Sequence, residues 1–190
     1  MPSLVGSEMC IRDSMYLFDF GTNGLMPVSD VPHVADYFTV DQEDKIAKAI
    51  KQIHQIIAER KKLLSQERVI NIDQYNKETG KTVPNVFIII DNYDTVKESP
   101  FVEDYEEMMA KVTREGLALG VYIILTGSRS SAVKSSIFTN IKTRIALYLF
   151  ENNELTNIIG SYKKGVKDIK GRAAINDDNF TQFLSLIHIS

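Results

Sequence analysis

Val86-Phe87-Ile88-Ile89-Ile90-Asp91 is an unbroken apolar run that ends in an acid. Such a run suits a central strand of a parallel sheet, which is buried on both faces. Asp91 then stands at the carboxyl end of that strand, and ligands of open α/β sheets bind just outside those ends. Two readings of the carboxylate are open from the run alone. It holds a nucleotide-bound Mg2+ through water, the Walker-B role, or it caps the turn that follows.

Outward from this run, helical and strand patterns alternate. Upstream, residues 16–20 (YLFDF) read as a strand closed by Gly21, and residues 21–30 as a Gly- and Pro-containing loop. Residues 40–69 carry the clearest helix, with Ile46, Ile50, Ile53, Ile57 and Leu64 at helical spacing and Asp41 or Asp44 available as its cap. A short helix follows over Ile72–Thr79, ended by Gly80. Downstream, residues 101–119 form a helix with Met108, Met109 and Val112 on one face, and Gly120 stops it. Val121–Leu125 (VYIIL) and residues 143–150 (TRIALYLF) read as strands, Asn152–Ile159 as a helix, and Arg172–Ile175 as a further short strand. Alternation of this kind means an α/β fold with helices on both faces of a parallel sheet.

Two chemical signals accompany Asp91. The strand Val121–Leu125 runs into Thr126-Gly127-Ser128-Arg129, a polar turn placed where a neighbouring strand presents a sensor beside a γ-phosphate, or else a plain solvated turn. Asn92 occupies the position at which an active ATPase of this type carries its general base. An amide orients water but does not take up its proton. No G-x-x-x-x-G-K-[ST] occurs in the sequence, so no recognisable loop cradles a β-phosphate.

Composition sets outer limits. The chain has 190 residues, 44% of them hydrophobic and 25% charged, which is ordinary for one globular domain. The formal net charge is −3, and a nucleic-acid footprint is expected to be basic. The longest apolar run, residues 145–150, has six residues, against about 20 for a membrane helix. One cysteine, Cys10, excludes an internal disulfide, and His33, His54 and His188 are too scattered for a metal cluster. Residues 1–14 (MPSLVGSEMCIRDS) and 185–190 (SLIHIS) resemble translated sequencing-adapter read-through and are expected to be foreign to the fold, which leaves residues 15–184 as the domain. Resequencing the source DNA tests this: an unbroken genomic frame through both ends contradicts it.

A resemblance then joins the motifs. Arg114-Glu115-Gly116-Leu117-Ala118-Leu119-Gly120, the strand ending in Thr126-Gly127-Ser128-Arg129, and Asn140-Ile141-Lys142-Thr143-Arg144-Ile145-Ala146 resemble the FtsK/SpoIIIE motor family in order and spacing. Phe18-Asp19-Phe20-Gly21, Val31-Pro32-His33-Val34 and residues 87–94 (FIIIDNYD) are similar to the branch that drives type VII protein secretion. The resemblance implies a RecA-like P-loop NTPase sheet, here truncated, with the first strand and the P-loop missing. Residues 16–20, Val86–Asp91, Val121–Leu125 and 143–150 would be its second to fifth strands. The missing strand would lie between the last two and leave apolar edges bare, so the chain alone is expected to be poorly soluble or molten.

By the same resemblance Asp91 is the Walker-B acid and holds Mg2+ through water. Ser128, Arg129 and Arg144 are the other nucleotide-binding candidates, and Asn92 replaces the catalytic Glu, so no catalytic residue is assigned. The implied cofactors are ATP and Mg2+ in the intact domain, in a regulatory or weakly hydrolytic module. The implied partners are neighbouring ATPase modules of the same chain, secreted protein substrates and further copies in a homo-oligomer. The implied place is the cytoplasmic face of the membrane, with no membrane contact by this segment. A DNA translocase is the alternative, mildly disfavoured by the acidity, although Lys163, Lys164 and residues 167–172 form a basic run. A nucleotide-free interaction module is the other alternative.

Overall fold

The computed structural model describes residues 13–160, 166–176 and 181–184. Of the two terminal stretches singled out above, only residues 13 and 14 fall among them, and Cys10, His188, Lys163 and Lys164 lie outside the described residues.

Four parallel strands make the main sheet: β1 (Ser14–Asp19), β2 (Val34–Thr39), β3 (Val86–Asp91) and β4 (Val121–Leu125), in the order β2-β1-β3-β4. β1 begins with Ser14, whose N–H donates to the Asn85 carbonyl. In register, Asp19 lies opposite Asp91, so two acids share the carboxyl edge of the sheet. β2 is a strand for which the sequence pattern gave no expectation. It mixes half-buried and exposed positions with one buried residue, Phe38.

Side chains alternate across the sheet, as strand geometry requires. Val86, Ile88 and Ile90 of β3 enter a core with Tyr16 and Phe18 of β1. The helices that complete this core are α1 (Glu43–Glu67), α2 (Ile72–Thr79), α3 (Val102–Glu115) and α4 (Ser135–Asn140). Ile46, Ile53, Ile57, Met108 and Met109 are fully buried there, as the helical spacing predicts, and so is Tyr105 of α3. The aromatic centre is tightly nested: Phe18 stacks on Phe38 at 4.6 Å and meets Tyr105 edge-on at 5.3 Å. The other face of β3 and β4 carries Phe87, Ile89, Tyr122 and Ile124, and Ile124 is 53% exposed.

The expected Asp cap of the long helix is not made. Gln42 precedes its first turn and no side chain caps it; the Gln42 Oε1 instead accepts from the Thr39 N–H at 3.4 Å. Asp44 lies inside the first turn, where its charge suits the helix dipole without a hydrogen bond. Arg60 of α1 is buried without a carboxylate. Its Nη1 donates to the carbonyls of Leu119 (2.6 Å) and Gly120 (3.0 Å), and its Nη2 to that of Pro84 (2.6 Å). Burial lowers its pKa from the usual guanidinium value. Gly120, at φ 64°, turns the chain from the 3-10 turn Gly116–Leu119 into β4 beside this guanidinium.

Residues 143–150 do not join the main sheet. Only Ile145–Ala146 (β5) pairs, antiparallel to β6 (Arg172–Ile175), which in turn pairs with β7 (Gln182–Leu184). Of the rest of the apolar run, Leu149 packs against the small-sheet core, while Leu147 is 61% and Phe150 91% exposed. β6 offers a partner only at Ile175 and Ala174, so the strand stops after two residues. This small sheet has its own core, Ala146, Val166 and Ala174 against Leu155 and Ile159 of α5 (Asn152–Ile159).

Candidate functional site

The carboxyl ends of β1, β3 and β4 converge on a set of hydroxyls and carboxylates. Thr126, directly after β4, donates its Oγ1–H to Asp91 Oδ1 at 2.7 Å and accepts the Asn92 N–H at 3.0 Å. Asp91 Oδ2 accepts no hydrogen bond among the described residues. It faces two glycines of the β1–β2 connection: a Cβ built on Gly21 would lie 3.0 Å from it, and one on Gly24 3.2 Å. Glycine there leaves open the space in front of the oxygen that any side chain would fill.

Asp19 builds that connection. It is 2% exposed, and its Oδ1 accepts from the Gly21 N–H (3.2 Å). Its Oδ2 accepts from the Leu25 N–H (2.9 Å) and the Tyr37 hydroxyl (3.1 Å). Burial, and then the bond to Asp19, raises the Tyr37 pKa. In the sequence Asp19 stands out by the FtsK/SpoIIIE resemblance of Phe18-Asp19-Phe20-Gly21. The available signal was the one used for Asp91, an acid at the end of an apolar strand.

Asn92 adopts the left-handed conformation (φ 59°, ψ 59°), which asparagine tolerates better than most residues. Its side-chain Nδ2 donates to Thr95 Oγ1 (3.0 Å) and to the Phe20 carbonyl (3.4 Å), so the amide closes the loop. Asp94 holds the next loop: its Oδ2 accepts from the Ser128 N–H (2.7 Å) and its Oδ1 from the Ser128 hydroxyl (2.8 Å). Arg129 follows, exposed, with no hydrogen bond or ion pair from its guanidinium to the described residues.

Asp91, Asn92 and Ser128 are thus tied into one edge of the sheet, and Arg129 adjoins them. Arg144 is engaged elsewhere. Its Nε donates to the Ile141 carbonyl (3.0 Å), Nη1 to that of Ile158 and Nη2 to that of Phe138 (both 3.4 Å), and the guanidinium lies 4.3 Å over the Phe138 ring. It joins α4 to α5.

The FtsK/SpoIIIE family profile matches residues 5–175. The chain belongs to the FtsK/SpoIIIE family. Membership implies a nucleotide-binding fold of the RecA type. Within the family the chain is 88% identical over 169 residues to the type VII secretion system protein EssC of Staphylococcus aureus strain MRSA252, and 59% identical to that of strain NCTC 8325 / PS 47. It is 37% identical over 164 residues to the ESX secretion system protein YukB of Bacillus subtilis strain 168. The matches take in 86–89% of this chain, which spans 11% of the length of each of these relatives. Among solved structures, ATPases 2 and 3 of EssC from Geobacillus thermodenitrificans superimpose with a TM-score of 0.83 at 34% identity, over 88% of this chain and 32% of that one. ATPases 2 and 3 of Thermomonospora curvata EccC, solved with a signal sequence peptide, share the fold with a TM-score of 0.78 at 21% identity, over 92% of this chain and 32% of that one. No described helix of this FtsK/SpoIIIE chain is long and apolar enough to cross a membrane.

Proposed function

We propose that this chain is part of a nucleotide-binding module of a type VII protein-secretion motor, one that binds Mg-ATP and hydrolyses it weakly or not at all. The observation that carries the reading is Asn92. It stands at the position of the family's catalytic Glu, and its Nδ2 donates to Thr95 Oγ1 and to the Phe20 carbonyl. An amide does not take up a proton from water, and the nitrogen of this one is committed to its own loop.

Asp91 fits the metal part of the reading. Among the described residues its Oδ2 is without a donor, and Gly21 and Gly24 keep the space before it open, which suits a carboxylate that holds Mg2+ through water. When bound, Mg2+ neutralises charge on the phosphate oxygens. The chain's own part is to hold the loops that face it: Asp19 fixes the β1–β2 connection, Thr126 fixes the orientation of Asp91, and Ser128 on Asp94 fixes the turn that presents Arg129 to phosphate. Arg144 serves as the tie between α4 and α5.

Nucleotide binding by such a module would bias its packing against neighbouring ATPase modules of the same motor and against further copies of the chain, at the cytoplasmic face of the membrane. Secreted proteins would be the substrates. The relatives named for type VII secretion favour this over DNA translocation. The test is steady-state ATP turnover of the full-length motor with Asn92→Ala. Turnover is expected to stay within about twofold of the parent, because loss of a working general base costs about 100-fold or more. A loss of that larger size would show Asn92 to be catalytic and overturn the reading.

A further inference from the structure

Thr126, Ser128 and Ser130 of the turn after β4 are each pinned by a different segment of the chain. Thr126 is held by Asp91 of β3, and Ser128 by Asp94 of the segment that follows β3. Ser130 is held from the small-sheet side. Glu154, in the first turn of α5, accepts with one oxygen both the Ser130 hydroxyl (2.7 Å) and the Ser130 N–H (3.2 Å). The Ser131 carbonyl accepts from Lys97 Nζ at 2.9 Å. Arg129 lies between two serines whose amide and hydroxyl are both committed, and only its own side chain is left free.

We propose that Glu154 is a positioning residue that sets the Arg129 loop from the small sheet, so that displacement of α5 changes how that arginine meets an anion. The proposal rests on the reading of Arg129 as a phosphate ligand. Charge-assisted bonds to a carboxylate are stronger than neutral ones, and this one joins two hydrophobic cores that share no buried residue. α5 also receives Arg144, whose Nη1 reaches the Ile158 carbonyl, so the same helix carries both ties. A partner that pressed on the small sheet would reach the turn through α5 without touching the nucleotide.

The experiment is a double-mutant cycle in the full-length protein, read as the dissociation constant for a fluorescent ATP analogue with Mg2+. Arg129→Ala and Glu154→Ala are each expected to weaken binding about fivefold, and the double variant by no more than the larger single effect, because interacting sites are non-additive. Glu154→Gln, which keeps an acceptor for Ser130, is expected to recover most of the affinity. Ser130→Ala, which removes only the hydroxyl, is expected to show the same coupling to Arg129 and serves if Glu154→Ala does not fold. Amide hydrogen exchange of residues 128–131 should rise in Glu154→Ala. If Arg129→Ala binds as the parent does, the phosphate reading falls and takes the role of Glu154 with it. If Arg129→Ala weakens binding but Glu154→Ala and Ser130→Ala do not, or do so equally in its absence, the phosphate reading stands and the positioning role is overturned. Unchanged exchange in Glu154→Ala also overturns it.

Discussion

The Tyr105 hydroxyl is fully buried in the aromatic centre and has no hydrogen-bond partner among the described residues. Burial, and the nearby Tyr93, push its pKa well up, so it stays neutral and simply unsatisfied. An unmet buried hydroxyl costs about 1–3 kcal/mol. Tyr105→Phe is therefore expected to leave the denaturant midpoint of the chain at low concentration unchanged or raise it. A drop worth more than about 1 kcal/mol would mean the hydroxyl has a partner. His54 gives a pH signature. Its pKa is lowered from 6.5 by burial first and by Lys111 second, while Glu107 and Asp104 pull it back up. The unfolded chain then binds the proton better, so this contribution to stability is complete above pH 6.5 and is lost as the pH falls through that value towards the folded pKa. Glu115, lowered chiefly by its bond to Lys61, acts in a more acidic window, and its contribution is lost below pH 4.5. Between pH 7.5 and about 5.5 the midpoint should fall, and His54→Gln should flatten the fall. An equal fall in that variant would clear His54 of the effect.

Elements were legible in the sequence where their own residues decide them. The apolar period of α1, the run of β3 and the Gly stop of α2 needed no partner to be read, and each element forms, whereas α3 ends at Glu115 and Gly120 closes the 3-10 turn that follows it. β2 and β5 depend on what they pair with. β2 is an edge strand with Asp36 in its middle, and residues 143–150 are apolar enough for a full strand but find a partner over two residues. At the site, Asp91 was legible as a strand-end acid. Thr126, Asp94 and Glu154 were not, because their roles exist only once β3, β4 and α5 lie side by side. The turn into β4 shows the same dependence. A Cβ on Gly116 would sit 2.4 Å from the Val121 carbonyl oxygen, a backbone atom that cannot turn aside. Gly116→Ala is expected to cost about 2 kcal/mol or more, measured by denaturant unfolding. A cost under about 0.5 kcal/mol would mean the turn can be rebuilt.

At the scale of the whole molecule, β4 ends the main sheet with one hydrogen-bonded neighbour, and Ile124 and Tyr122 stand on its less covered face. An exposed apolar edge is a template for association. The 190-residue chain on its own is expected to self-associate as its concentration rises, and Ile124→Lys to raise its soluble fraction. A chain that stays monomeric in sedimentation at high concentration would contradict this. The same edge bears on the central claim, that the Asp91 end of this chain is half of a nucleotide site whose phosphate cradle lies in other residues. Calorimetric titration with Mg-ATP tests it most directly. The 190-residue chain should give no tight binding. The full-length protein should bind, with one binding event weakened by Asp91→Ala. Tight Mg-ATP binding by the 190-residue chain alone, or full-length binding indifferent to Asp91→Ala, would contradict it.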